Sequence, residues 1–129
     1  MKVAVIGSRN LRVKGLEQYL PKGTDCIVSG GAVGVDSSAA EFAKKAGLCL
    51  KVFLPDYEQW GRRAPLMRNL DIVAEADIVL AFWNGRSKGT EFVINQCRKQ
   101  GKPIKVFLPK EGQEGAFVLM PLAQQLSFE

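Results

Sequence analysis

Short, continuous apolar runs alternate along this chain with stretches of helical spacing. Five runs are strand-like, at residues 2–6, 25–28, 49–54, 77–82 and 104–108. Four helical patterns lie between them, at residues 12–20, 35–46, 66–74 and 90–100. Continuous rather than alternating apolar strands are typical of a parallel sheet that is buried on both faces. The pattern therefore predicts an α/β fold, a doubly wound, mostly parallel sheet with helices on both faces.

Two regions fit this alternation less well. Residues 56–65 are polar and aromatic and longer than a simple connection, which predicts a functional loop. Residues 109–129 are ambiguous, because the apolar segment 117–120 could form either an extra strand or an oligomer contact. At 129 residues the whole chain is predicted to be one domain.

Composition places the chain among ordinary globular proteins, with 47% hydrophobic and 24% charged residues. No apolar run approaches the roughly 20 residues that span a bilayer, and residues 1–7 are too short for a signal peptide. We therefore expect a cytoplasmic protein with no membrane partner. The three cysteines lack CxxC spacing and indicate buried free thiols in a reducing compartment.

The absence of histidine excludes a serine–histidine triad and a histidine-based metal site. The turn Gly7-Ser8-Arg9-Asn10 lacks the GxGxxG spacing of dinucleotide-binding folds, and no GxxxxGK(S/T) motif is present. We therefore expect no cofactor and no metal. A formal net charge of +5 favours anionic ligands.

Two glycine-rich turns each connect a strand-like run to a helical pattern. They span residues 29–36 (SGGAVGVD) and 84–90 (NGRSKGT), and a third polar turn, Gly7-Ser8-Arg9, follows the first strand. Such turns leave backbone N–H groups free at the positive end of a helix dipole, which favours phosphate and other anions. Ligands of doubly wound sheets bind outside the carboxyl ends of the strands. The turns therefore predict a nucleotide-type site at that edge.

Five segments of the chain stand in the order seen in the SLOG superfamily, which this sequence resembles over residues 2 to about 108. They are Gly7-Ser8-Arg9, residues 29–36, Met67-Arg68-Asn69, Ala76-Asp77 and Ser87-Lys88-Gly89-Thr90. The superfamily contains DNA-processing protein A and the Lonely-Guy phosphoribohydrolases, and the chain is most similar to its small YspA/YpsA-related branch. The resemblance implies a Rossmann-like sheet that binds a nucleotide or nucleotide-derived ligand.

The turns and the resemblance together define the candidate binding residues. Two of these residues also have an explanation that involves no ligand. Arg9 could be an ordinary surface arginine, and the role of Asp36 could be limited to capping its helix. Outside this set, Trp60 could stack on a base or cover the sheet edge. The candidates for ligand or phosphate binding are Gly7, Ser8, Arg9, Ser29, Gly30, Gly31, Gly34, Asp36, Arg68, Asn69, Ser87, Lys88, Gly89 and Thr90.

The hydrolases of the superfamily resemble a pattern GGxGTxxE, from which this chain departs. Three residues beyond Thr90 lies Val93, and the nearest glutamate, Glu91, comes only one residue after the threonine. Two positions along a helix correspond to about 200° of rotation, so Glu91 is expected to point elsewhere. If the protein is an enzyme, the catalytic candidates are Glu91 and Asp36.

Three functions remain open at this point. The first is binding or sensing of a phosphate-bearing, ADP-ribose-like ligand, and the second is an N-glycoside hydrolase or deoxyribosyl transferase acting on nucleoside monophosphates. The third is binding of single-stranded DNA, for which Tyr57, Trp60 and the nearby arginines are the supporting cluster. Related folds often dimerise through helices at the sheet edge, so a homo-oligomer is also expected.

Overall fold

The computed structural model describes residues 1–121 and confirms the α/β fold class. Its single sheet has six strands in the order β3-β2-β1-β4-β5-β6. Strands β1 to β5 are parallel to their neighbours, and β6 is antiparallel to β5. The strands are β1 (Lys2–Gly7), β2 (Cys26–Ser29), β3 (Cys49–Val52), β4 (Ile78–Phe82), β5 (Ile104–Pro109) and β6 (Phe117–Leu119).

Helices cover both faces of the sheet, as predicted, but burial on both faces does not extend to the edge strand β3, which is largely exposed. One face packs on α1 (Val35–Ala46), and the other packs on α3 (Ala64–Glu75) and α4 (Lys88–Gln100). The short helix α2 (Tyr57–Trp60) and a 3-10 turn at Gly61–Arg63 lead directly into α3. None of the described helices is long and apolar enough to cross a membrane.

The helix predicted at residues 12–20 is wrong, because the segment holds only a 3-10 turn at Leu16–Gln18. Its backbone N–H groups are used in tertiary contacts: Val13 donates to Ser38 Oγ at 3.0 Å and Lys14 to the carbonyl of Gly115 at 2.9 Å. Gly15 adopts a left-handed conformation (φ 62°), which interrupts any longer helix. The apolar residues of the segment face the core without helical geometry.

The structure also defines the two regions that fit the alternation of strands and helices less well. The loop expected at residues 56–65 is instead largely helical, and Asp56 caps α2 by accepting a hydrogen bond from the Gln59 N–H at 3.1 Å. The segment 117–120 forms an extra strand over Phe117–Leu119, one of its two predicted alternatives. The rest of the ambiguous region, residues 122–129, lies outside the described residues.

The strand order reverses direction between β1 and β4. The chain proceeds from β1 to β2 and β3 on one side, then returns to place β4 on the other side of β1. The loops that follow β1 and β4 therefore diverge and leave a crevice at the carboxyl ends of the strands. This topological switch point is where ligands bind in open α/β sheets.

Candidate ligand-binding site

A cavity of about 430 Å³ lies at this switch point. Its volume falls within the roughly 300–1,000 Å³ typical of small-molecule sites. Polar groups come from the loops after β1 and β4, from the first turns of α1 and α4 and from the second turn of α3. The lining residues are Ile6, Gly7, Ser8, Arg9, Asn10, Ala32, Asp36, Pro65, Arg68, Asn69, Ile72, Asn84, Ser87, Gly89, Thr90 and Val93.

The loop after β4 is shaped by side-chain hydrogen bonds. Asn84 Oδ1 accepts from the N–H groups of Arg86 and Ser87, both at 2.8 Å, which turns the chain sharply toward α4. Ser87 is the N-cap of α4, and its Oγ accepts from the N–H and the hydroxyl of Thr90. The first N–H groups of a helix have no partner within the helix. The start of α4 therefore offers free donors at the cavity.

Ser8 joins the loop after β1 to the loop after β4. Its Oγ is buried and accepts a hydrogen bond from the Asn84 N–H at 3.1 Å, while its own N–H donates to the Phe82 carbonyl at 3.1 Å. Ser8 thereby fixes the separation of the two loops that form the crevice. Its hydroxyl hydrogen is not committed by the Asn84 bond, since the oxygen acts there as the acceptor.

Arg68 is a buried arginine that ties the ends of two strands together. Its Nη1 donates to the carbonyl of Gly30, after β2, and to that of Phe53, after β3, at 3.1 Å. Its Nε donates to Asn69 Oδ1 at 2.9 Å. Burial lowers the pKa of Arg68. Guanidinium groups nevertheless remain charged in proteins, so Arg68 places a fixed positive charge in the cavity wall.

Asp36, in the first turn of α1, provides the opposite charge. Its Oδ2 accepts from the Ala32 N–H at 3.0 Å. Burial raises the pKa of this carboxyl, while the Ala32 hydrogen bond and the charges of Arg68 and Arg9 oppose the rise. Within residues 1–121 the Asp36 carboxylate forms no direct ion pair with either arginine. It is therefore a buried acceptor flanked by two cations.

The glycines of the site serve two different purposes. A Cβ at Gly30 would lie 2.8 Å from Arg68 Nη1, and one at Gly34 would overlap the backbone of Arg9. Gly34 also has φ 79°, which disfavours any other residue. Both glycines are thus required by packing. At Gly89, in contrast, an added Cβ would meet no atom within 4 Å and would enter open space.

The structure brings nine of the fourteen predicted binding residues to the cavity wall. The others do not line it; among these, a Cβ at Gly31 would contact side chains of β3 and the loop after it. Of the catalytic candidates, Asp36 lines the cavity and Glu91 does not. The nine are Gly7, Ser8, Arg9, Asp36, Arg68, Asn69, Ser87, Gly89 and Thr90, and the five are Ser29, Gly30, Gly31, Gly34 and Lys88.

The apolar part of the cavity wall was not predicted from the sequence. Ile72 and Val93 line the cavity from α3 and α4 and also belong to the core, and apolar residues inside a helix give no local signal of a binding site. Asn10 was also missed, although it directly follows the predicted turn at residues 7–9, and adjacency to that turn is the signal that could have identified it. Its Oδ1 accepts from Asn84 Nδ2 at 3.1 Å, a second link across the crevice.

Together, the fold and the cavity define a Rossmann-like α/β protein with a candidate small-molecule site at its switch point. No protein-family model matches the chain, and no solved structure matches it. The chain is 36% identical over 84 residues to the "Gene 61 protein" of Mycobacterium phage D29, an alignment that covers 60% of this chain and 67% of the phage protein. The chain belongs to the family of that phage protein.

Proposed function

We propose that this protein binds a nucleotide or nucleotide-derived ligand through its phosphate in the switch-point cavity. The observation that carries the proposal is the convergence of the start of α4, Arg9 and Arg68 on one cavity. Helix N-termini attract anions through free N–H groups and the helix dipole. Arginine forks match phosphate geometry.

Each part of such a ligand would face a chemically complementary part of the cavity wall. The phosphate would accept hydrogen bonds from the first N–H groups of α4 beside Gly89 and from Arg9. The hydroxyls of a sugar would donate to Asp36, which is an acceptor while ionised. The apolar side chains of Ile72 and Val93 would cover a base. The SLOG resemblance supports the same class of ligand.

The cavity favours binding over hydrolysis. In the hydrolase pattern the catalytic carboxylate stands three residues after the threonine, and in this chain Val93 occupies that position and lines the cavity. Glu91 does not line the cavity. Of the described residues that line the cavity, Asp36 alone carries a carboxylate. An N-glycosidase would therefore have to work with Asp36, and this remains the competing hypothesis.

Calorimetry with AMP, ADP-ribose and adenosine tests the proposal. We expect the two phosphate-bearing compounds to bind more tightly than adenosine, because the nucleoside lacks the anion. Gly89→Glu should weaken AMP binding at least about tenfold by placing a carboxylate at the start of α4. Gln100→Glu, which adds the same charge at the exposed far end of the same helix, should bind AMP as the wild type does. Equal binding of adenosine and AMP, or normal AMP binding by Gly89→Glu, would contradict the proposal.

Chromatography of the same mixtures separates binding from cleavage. We expect AMP to be recovered intact after prolonged incubation. Release of adenine by the wild type, and its loss in Asp36→Asn, would instead support the N-glycosidase. The two results are distinguishable even when the ligand is bound in both cases.

Single-stranded DNA binding is the function that α2 would support. Tyr57 and Trp60 are 58% and 38% exposed, and Arg62 and Arg63 follow them. Exposed aromatics beside cations can stack bases and pair with the backbone. This function predicts oligonucleotide retardation that falls steeply with salt and weakens in Trp60→Ala. Unaltered mobility of an oligonucleotide at low salt would eliminate it.

A further inference from the structure

Two cysteines stand side by side at the end of the sheet opposite the cavity. Cys26 is the first residue of β2 and Cys49 the first of β3, and they are direct partners in the parallel register. Neighbouring strands lie about 4.7–4.9 Å apart, which is within the roughly 4.4–6.8 Å that separates the Cα atoms of a disulfide. Partner side chains in a parallel register leave the same face of the sheet. The backbone therefore already has the spacing that a disulfide needs.

The two thiols differ in their environment. The prediction of buried thiols is wrong for Cys49, which is exposed at the start of an edge strand, whereas Cys26 is buried; both thiols are free. Burial, together with contact with the Cys49 thiol, raises the pKa of Cys26 to about 11. An oxidant in solution would thus react first with Cys49, and Cys26 lies beside it as the second thiol. The third cysteine, Cys97, is fully buried in α4 and serves as an internal control.

We propose that Cys26 and Cys49 form a reversible, peroxide-responsive dithiol site. The Cys49 thiolate attacks the O–O bond of a peroxide such as hydrogen peroxide, giving a sulfenic acid and releasing water after proton transfer. The Cys26 sulfur then attacks the Cys49 sulfur and displaces the hydroxyl group, which leaves as a second water with the Cys26 proton. Two thiols are oxidised to one disulfide, and one peroxide is reduced to two waters. A dithiol reductant reverses the step.

The bond would hold an edge strand of the sheet. In the part of the chain that the structure describes, β3 pairs only with β2. At the carboxyl ends of these strands, Arg68 links the carbonyls of Gly30 and Phe53. A Cys26–Cys49 disulfide would link the same two strands at their amino ends. Oxidation should therefore stabilise the edge of the sheet, whether or not the cavity binds a nucleotide.

Peptide mapping of the whole protein tests this site. The fully reduced protein is treated with hydrogen peroxide, alkylated and digested with trypsin. Cleavage after Lys22, Lys44, Lys45 and Lys51 separates Cys26 from Cys49, so an internal disulfide appears as two linked peptides. We expect these linked peptides from monomeric protein, a mass loss of about 2 Da for the two hydrogens, and full reversal by dithiothreitol.

Two variants and a melting curve complete the experiment. Cys97→Ser should retain the linked peptides, and Cys49→Ser, at an exposed position, should lose them. Oxidation should raise the melting temperature of the wild type and Cys97→Ser by on the order of 10 °C, but not that of Cys49→Ser. Oxidation of Cys49 to sulfinic or sulfonic acid with no linked peptide would overturn the proposal, as would a link found only between two chains.

Discussion

At the scale of single residues, Arg68 has a structural role that the sequence does not indicate. It was predicted to bind ligand on the strength of the SLOG resemblance. The structure shows that it also joins the ends of β2 and β3 through two carbonyls. Its remaining hydrogen bond, to Asn69, holds the guanidinium at the cavity wall. Arg68 therefore has a structural role in addition to the binding role that we propose for it.

Replacing this guanidinium with an ammonium should destabilise the fold. Arg68→Lys cannot reproduce the planar fork that reaches both carbonyls and Asn69, so buried acceptors lose their donor. We expect the free energy of unfolding to fall by about 1–3 kcal/mol in urea denaturation. Arg63→Lys, at an exposed position of the same charge, should change it by less than about 0.5 kcal/mol. Equal effects of the two substitutions would contradict the structural role of Arg68.

The raised pKa of Asp36 predicts the direction in which the stability of the fold changes with pH. Because its pKa is raised above the ordinary 3.8 in the folded protein, the folded state retains this proton at pH values where the unfolded chain has released it. The contribution of Asp36 to stability is therefore largest below 3.8 and declines as pH rises through its folded pKa.

Urea denaturation of the wild type and Asp36→Asn at several pH values, from about 3 to about 7, measures this contribution. The stability of the wild type relative to the variant should fall as pH increases, because only the wild type must bury an ionised carboxylate. Other titrating groups are common to both proteins and cancel in the difference. A relative stability that rises with pH would show that Arg68 and Arg9 outweigh the cost of burial.

At the scale of elements, the turns that begin α1 and α4 use glycine differently. Gly34 sits at the N-cap of α1 with positive φ and contacts the backbone of Arg9. Gly89 lies inside the first turn of α4 beside open space. Both belong to motifs that sequence analysis assigned to ligand binding. Only the three-dimensional structure separates the glycine required by packing from the one that leaves room in the cavity.

This contrast predicts opposite outcomes for the same substitution. Gly34→Ala should lower the free energy of unfolding by about 1–3 kcal/mol, since alanine is strained at this φ and its Cβ would displace the loop after β1. Gly89→Ala should leave stability unchanged or raise it by up to about 1 kcal/mol, because alanine favours helix. Thermal and urea denaturation of the two variants measure the difference. Similar losses in both would show that Gly89 is also packed.

The elements themselves were predictable to different degrees. The parallel strands were recognised because each is a largely apolar run, interrupted only by Lys51 in β3 and Lys105 in β5. Helices α1, α3 and α4 were recognised because their apolar faces repeat at helical spacing. The segment at 12–20 has a similar apolar repeat, but the hydrogen bonds of Val13 and Lys14 to residues distant in sequence replaced helical ones. The long-range hydrogen bonds leave no local signal in the sequence, whereas Gly15, inside the predicted helix, was a local signal against it.

At the scale of the whole molecule, strand order determines which predicted residues meet. The sequence placed all three turns at the carboxyl edge, but it did not specify that β1 and β4 would be neighbours. That adjacency brings Ser8 to Asn84 and creates the crevice. The same topology places the turn at 29–31 beside β3, so Gly31 lies against Val52 and Leu54 and not in the cavity wall.

An NMR titration of isotopically labelled protein with AMP, followed by ADP-ribose, tests the central claim most directly. If a phosphate-bearing nucleotide binds at the switch point, the backbone amide signals of Arg9, Gly89 and Thr90 should shift in a saturable manner. Those of Cys26 and Cys49, at the opposite end of the sheet, should remain in place. An absence of shifts with either compound at millimolar concentration, or shifts confined to residues outside the cavity, would contradict the account.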